Sequence, residues 1–252
     1  MINNLDITMT ATIRPEVVNL TLKSFFKRFL YQIENVRLII NIDPIGDERH
    51  DANDVIIVCK KYFQNIIVNT PNTASFPKAA KWCWEQIESE FFLHLEDDWL
   101  LRKNINSKSV FELMSKNDEI KSVRFFLSKN KKTNLSDNRY CYSNGFSLNP
   151  SIVRTSFIKE ILKRFDTDLD PEKQFSDLVN DNKIKFILYG NKTDGNYTID
   201  IGKKWRKLQN FDKPNISLSS IKSWKKRRFT SFNIKDYLNY KVHMFYWEYI
   251  VS

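Results

Sequence analysis

The chain has 252 residues, 42% hydrophobic, 14% aromatic and 28% charged, a balance that fits one large globular domain or two small ones and excludes a disordered tail. No run reaches the ~18 consecutive apolar residues that span a bilayer. The start, Met1-Ile2-Asn3-Asn4-Leu5-Asp6, lacks the basic patch and apolar run of a signal segment, so the expected setting is cytoplasmic.

The formal charge of +10 is concentrated near the C-terminus. Lys203 to Arg228 holds ten Lys or Arg against the single acid Asp212, which leaves the remainder nearly neutral. Cys59, Cys83 and Cys141 are scattered, with no CxxC pair and no His at ligand spacing, so neither a disulfide framework nor a zinc site is indicated.

The first hundred residues alternate strand and helix signals. Leu5–Thr12 reads as a strand, and Glu16–Tyr31 as a helix opened by Pro15, with apolar residues at Val18, Leu22, Phe25, Phe26, Phe29 and Leu30. Val36–Ile42 is a mostly apolar strand closed by Asp43, and Asp54–Phe63 a helix. Ile66–Val68 is a third strand, residues 77–89 a helix, and Phe91–Leu95 a fourth strand that runs into Glu96-Asp97-Asp98. Nearly uninterrupted apolar strands separated by helices predict a mostly parallel α/β sheet covered on both faces.

The second half is less regular. Lys108–Met114 and Ile152–Phe165 read as helices and Ser122–Leu127 as a strand. Ile184–Tyr189 and Tyr197–Ile201, bridged by the segment Gly190–Gly195, read as a hairpin. With no internal repeat and no long linker, a single domain over 1–252 is expected, divided into 5–100, 101–206 and a basic aromatic extension, 207–252. Only 5 glycines are present, and neither a Walker loop nor a GxGxxG fingerprint occurs.

The strongest chemical signal is Glu96-Asp97-Asp98. An apolar strand ending in three carboxylates places them at the sheet's carboxyl edge, where open α/β sheets bind ligands. Adjacent carboxylates repel, so a cation is expected among them, and Mg²⁺ or Mn²⁺ takes such oxygen ligands while bridging to phosphates. The alternative is a solvated acidic turn.

At these residues the chain resembles the GT-A glycosyltransferases, nucleotide-sugar-dependent enzymes with a DxD-type motif at the end of the fourth strand. The resemblance rests on an ordered set: Thr10-Ala11-Thr12-Ile13-Arg14-Pro15, then Asp43, then Asn69 through Lys78-Ala79-Ala80 and Trp82, then Glu96-Asp97-Asp98. It implies a GT-A fold, a Rossmann-like sheet with helices on both faces and a smaller mixed acceptor side. It further implies that Asp98 ligates Mn²⁺ or Mg²⁺, and that Glu96 and Asp97 face the ribose and donor sugar or hold the site's geometry. Thr10, Thr12, Arg14, Asp43 and Lys78 are implied to line the donor site. For Arg14 the plain reading is a loop arginine, and for Asp43 a turn residue before Pro44.

Further along, Asp168-Leu169-Asp170-Pro171-Glu172 is expected to begin a helix with Asp170 as N-cap. In inverting members an acid at such a helix start is the base, so Glu172 is the first candidate and Asp170 the second. Ser147 and Asn149 are candidates for sugar hydroxyls. Asp200 stands where many members carry a His as third metal ligand, and Lys203, Lys204 and Arg206 would offset diphosphate charge. His50, His94 and His243 are isolated and are assigned no role.

The implied partners are a nucleotide sugar, UDP-linked first and GDP-linked second, and a glycan or lipid-linked acceptor. Aromatics from Trp224 to Tyr249 beside Lys225-Lys226-Arg227-Arg228 are consistent with peripheral contact of 203–252 with an anionic membrane, or with a terminal helix packed on the core. Nucleic acid is not expected, because no recognition motif accompanies the charge. The rival functions are a nucleotidyltransferase of similar build and a non-catalytic basic binding protein.

Overall fold

The apolar runs of the first hundred residues form the inner strands of a large sheet in the computed structural model, which describes residues 4–125, 140–143, 145–175, 184–190, 194–209, 211–212, 225–226 and 234–252. In chain order the first half comprises β1 (Asn4–Ile13), α1 (Pro15–Arg28), a 3₁₀ turn (Leu30–Gln32), β2 (Asn35–Gly46), α2 (Ala52–Lys60), β3 (Asn65–Asn69), α3 (Phe76–Glu85), β4 (Phe91–Glu96) and β5 (Trp99–Leu101). The second half comprises α4 (Ser107–Lys116), β6 (Ile120–Arg124), β7 (Tyr140–Ser143), β8 (Ser151–Arg154), α5 (Thr155–Leu162), β9 (Lys185–Tyr189), β10 (Thr198–Asp200), α6 (Gly202–Leu208), β11 (Phe211–Asp212), β12 (Lys225–Lys226) and α7 (Ile234–Val251).

Eight strands pair in the order β3-β2-β1-β4-β8-β6-β9-β7. The block β3-β2-β1-β4 is parallel, and β8 runs antiparallel to both β4 and β6. Since β8 reverses twice, β6 points the same way as β4, and their carboxyl ends share one edge. The buried parallel block follows from its sequence: Leu38, Ile39, Ile40 and Phe92, Leu93 are fully buried, alternating between layers on the two faces. One layer sets Leu5, Ile7 and Met9 against Val18, Leu22 and Phe25 of α1. The other sets Ile39, Phe92 and Val153 against Ala80, Cys83 and Trp84 of α3 and Phe157, Ile158 and Ile161 of α5.

Three sequence expectations differ from the structure. Ile152–Arg154 lies in β8 rather than in a helix, which begins at Thr155, because the segment fills the gap between β4 and β6 and its backbone is used by the ladder. The expected hairpin is absent: β9 pairs with β6 and β7, whereas β10 pairs antiparallel with β5 in a separate two-stranded sheet. Residues 191–193 of its turn lie outside the described residues, as do Phe126-Leu127 of the expected 122–127 strand and Asn144. After Pro171 the backbone makes only a 3₁₀ turn at 173–175, so Glu172 does not open an α-helix among the described residues.

The aromatic C-terminal stretch is α7, which buries Tyr240, Met244, Trp247 and Val251 against Val17, Leu20, Leu100 and Trp205. Most of the basic segment, 213–224 and 227–233, lies outside the described residues. No described helix is long and apolar enough to cross a membrane.

Candidate active site

β4 delivers Glu96, Asp97 and Asp98 to the carboxyl edge of the sheet, beside the end of β1, and the Asp97 N–H donates to Thr10 O at 3.2 Å. Arg14 flanks the first turn of α1, where Pro15 occupies the first helical position and directs the guanidinium back over the strand ends. Its Nε donates to Asp97 Oδ2 at 2.7 Å, its Nη2 bonds Asp97 Oδ1, and the same Nη2 reaches Asp98 Oδ2 at 2.9 Å. Asp97 also accepts from the Thr12 N–H at 2.9 Å and the Thr12 hydroxyl at 3.3 Å.

The cation among the carboxylates is therefore a guanidinium of this chain. Arg14 and Asp97 side chains are 3% and 2% exposed, so Arg14 lies beneath the surface as counterion rather than along an open nucleoside pocket. Burial alone would lower the Arg14 pKa, but Asp97 and Asp98 raise it above its ordinary value, and it stays protonated. Burial pushes the Asp97 carboxyl up, with Arg14 and the Thr12 amide pulling against it. The Trp205 ring lies 5.4 Å from the guanidinium and stacks on Phe211, which closes the other face of Arg14.

Asp98 is placed differently. Its Oδ2 faces Arg14 and, at 3.6 Å, Arg206 of α6, whereas its Oδ1 has no hydrogen-bond partner among the described residues. Its backbone carbonyl accepts from the Ile201 N–H at 2.9 Å, and the β5–β10 ladder sets Asp200 opposite Trp99. Asp98 packs against Gly202 so closely that a Cβ there would fall 1.8 Å from Oδ2. Gly202 N–H in turn donates to Asp200 Oδ1 at 2.9 Å. The structure thus brings Arg14, Asp97, Asp98, Asp200 and Arg206 together around Gly202.

The other expected donor-site residues surround this cluster unevenly. Asp43 at the end of β2 accepts from Asn41 Nδ2 at 2.8 Å and from the Ser75 N–H at 3.1 Å. Burial, helped by the charge of Asp97 and opposed by those two donors, pushes Asp43 up to about 6. Thr10 is buried beside Glu96, and Trp99 Nε1 donates to Glu96 Oε2 at 3.3 Å. Lys78 is exposed on the first turn of α3, and Lys203 is 81% exposed with its Nζ 3.8 Å from Asp200.

On the expected acceptor side, Glu172 is fixed through one oxygen among the described residues. Oε1 accepts from Ser147 Oγ at 2.8 Å and from the Leu148 N–H at 2.6 Å, and Oε2 carries no partner among the described residues. Asp170 uses Oδ1 to cap the Glu172 and Lys173 N–H groups at 2.9 and 3.3 Å. Asn149 is half-buried next to Ser147, whose Oγ accepts its N–H at 3.4 Å.

Sequence reasoning missed Arg124, at the carboxyl end of β6. It is 8% exposed, and among the described residues its only hydrogen-bond partner is Ser143 Oγ at 3.0 Å. Burial lowers its pKa against the opposing field of Glu172, so a buried cation with no contacting carboxylate among the described residues stands near the candidate base. It ends a polar row across four strands, Thr8–His94–Ser151–Arg124, each in register with the next. His94, desolvated and neutral with its pKa pushed down to about 3, bonds Thr8 through Nδ1. Ser151 Oγ, His94 Nε2 and Arg124 Nε have no hydrogen-bond partner among the described residues. The row is set by the register between strands, which no local sequence pattern shows.

No family model and no curated protein sequence matches the chain. Solved structures do: GalNAc-T7 with UDP, GalNAc and Mn²⁺ aligns at TM-score 0.56 and 11% identity over 73% of this chain and 42% of that one. The mannosyltransferase PcManGT from Pyrobaculum calidifontis, in complex with GDP-Man and Mn²⁺, aligns at TM-score 0.54 and 10% identity over 74% and 55%. S. aureus TarS 1-349 in complex with UDP-GlcNAc aligns at TM-score 0.50 and 13% identity over 77% and 58%. The chain spans less than two thirds of each of these proteins, and at such identities the likeness concerns architecture: the chain has the GT-A fold.

Proposed function

We propose that this protein is a glycosyltransferase that moves a sugar from a nucleoside diphosphate sugar to a hydroxyl of a glycan or lipid-linked acceptor, inverting the anomeric carbon. The observation that carries this reading is the pair of carboxylates, Asp98 and Asp200, gathered around Gly202 at the carboxyl edge of a GT-A sheet. The structural neighbours hold UDP, GDP-Man or UDP-GlcNAc, two of them with Mn²⁺, which supports a nucleotide-sugar donor, with UDP favoured.

The donor set suits a divalent ion. No cluster of three or more ligating side chains occurs among the described residues, but Mg²⁺ and ions like it are held by one or two carboxylates plus substrate phosphates. Asp98 Oδ1 has no hydrogen-bond partner among the described residues and Asp200 is a second oxygen donor, so these two would hold Mn²⁺ or Mg²⁺. Bound there, the ion supplies Lewis-acid neutralisation of the departing diphosphate. Arg206 and Lys203 add positive charge at the same edge. Arg14 offsets the charge of Asp97, while Arg206 and Lys203 stand within 3.6 and 3.8 Å of Asp98 and Asp200.

Proton removal falls to Glu172. Its Oε1 is locked by Ser147 and Leu148, leaving Oε2 to accept the acceptor hydroxyl's proton as the oxygen attacks. Asp170, bonded to the backbone of that turn, positions Glu172 rather than competing with it. Arg124 supplies a cation beside the acceptor. Asp43, at the end of β2, would accept a nucleobase N–H.

A thermal-shift screen of UDP, GDP, dTDP and CDP, with and without Mn²⁺, tests the reading. At ~100-fold excess over Kd, binding adds about 2.7 kcal/mol of apparent stability. One nucleotide should stabilise the wild type only with metal, and Asp98→Asn should abolish that shift. A screen in which no nucleotide shifts the wild type overturns the proposal.

A further inference from the structure

Helix α7 carries two apolar stripes. Tyr240, Met244, Trp247 and Val251, spaced four, three and four residues apart, are the buried set. Leu238, Val242, Phe245 and Tyr249 repeat that spacing two residues earlier and are 58%, 64%, 74% and 75% exposed. A two-residue offset turns ~200° about a helix axis, so the second stripe faces directly away from the core. Four-three-four is the spacing of a coiled-coil seam, and a row of large apolar side chains held in water marks an interaction surface.

We infer that a second copy of this chain covers the stripe, through antiparallel pairing of α7 with α7 about a two-fold axis. Charge complementarity selects this occupant. With the axis between Val242 and Phe245, Val242 meets Phe245 of the other copy and Leu238 meets its Tyr249. The positions flanking the seam are Lys241 and Glu248, both exposed, and the two-fold axis sets each Lys241 against the other copy's Glu248, twice per dimer. A parallel pair in register has no such match. The helix carries Lys235 and Lys241 against Asp236 and Glu248, so it lacks the cation-rich polar face by which an amphipathic helix selects an anionic bilayer. Association also does not have to order the helix, because its inner stripe is packed and Lys27 and Arg28 bond the carbonyls of Ser252 and Ile250. A single helix pair is a small interface, so the dimer is concentration-dependent.

Sedimentation velocity on the full chain across the micromolar range reads this directly. The weight-average mass should climb from 30.1 kDa towards twice that value. Val242→Glu with Phe245→Glu should hold it at the monomer. Glu248→Lys should weaken dimerisation roughly tenfold by facing lysine with lysine. Adding Lys241→Glu to Glu248→Lys should restore the wild-type isotherm, which a folding defect cannot do. A wild type that stays monomeric, or a double swap that stays weak, overturns the inference. So does a monomer that co-sediments with phosphatidylcholine–phosphatidylglycerol vesicles and loses that binding in Val242→Glu/Phe245→Glu, since the stripe then serves a bilayer.

Discussion

Replacing Arg14 by Met removes the only cation among the described residues that contacts Asp97 while leaving that carboxylate 2% exposed. Asp97 then keeps the Thr12 N–H and hydroxyl but loses both guanidinium contacts. Breaking a buried pair by removing one partner costs about 3–5 kcal/mol, because an uncompensated charge remains. For a chain of this size each kcal/mol lowers Tm by ~2–4 °C, so the loss is roughly 6–20 °C. The sign of the pH dependence follows from linkage. Without Arg14, burial holds the folded-state pKa of Asp97 above its unfolded value, so the folded variant binds the proton more tightly. Its deficit against wild type is therefore small below the unfolded pKa and grows as pH rises through the folded one. Urea titrations of both proteins from acid to neutral pH measure this, and Arg14→Met/Asp97→Asn should recover much of the loss at neutral pH. A deficit under ~1 kcal/mol, or one that does not change with pH, refutes the assignment of Arg14 as the counterion.

Three further outcomes are expected. Asp43, pushed up to about 6 from 3.8, makes the folded state the better proton binder, so wild-type stability falls as pH rises between those values. The stability difference between Asp43→Asn and wild type should shift in favour of the variant by about 2 kcal/mol over that window, and a constant difference would contradict it. Gly202→Ala drives a methyl group into Asp98, and should cost about 1–3 kcal/mol while removing the Mn²⁺-dependent nucleotide shift; an intact shift would dissociate Gly202 from the metal site. Glu172→Gln should lower hydrolytic turnover of the nucleotide sugar ~10²–10⁴-fold and leave the nucleotide thermal shift unchanged, and near-normal turnover discards the base assignment.

Which parts of this molecule can be read from its residues depends on the range of the interactions involved. β1, β2 and β4 are legible because a strand buried on both faces is mostly apolar, as Leu38–Ile40 and Phe91–Leu93 are. Ser151–Arg154 is not, since four residues leading into an amphipathic helix share its composition, and only pairing with β4 and β6 makes them a strand. The partner of β10 is β5, about a hundred residues earlier, and no local pattern announces it. The acidic cluster was visible for a similar reason to the strands: three consecutive carboxylates require a cation. Which cation was not visible, because the approach of Arg14 depends on the turn between β1 and α1. Arg124 escaped notice because its isolation from carboxylates is a property of packing.

The small β5–β10 ladder ties Asp200 to the chain just after Asp98 by main-chain hydrogen bonds, from the Ile201 N–H to Asp98 O and across Trp99–Leu101. Side chains around it can therefore change without altering the separation of the two carboxylates, whereas an inserted or deleted residue on either strand would displace one by a full peptide unit. For recombination of acceptor regions between enzymes of this architecture, the ladder sets the joints. Crossovers placed before Thr198 or after Gly202 keep the strand and turn that carry Asp200 intact, and those placed between them split the proposed ligand from its ladder.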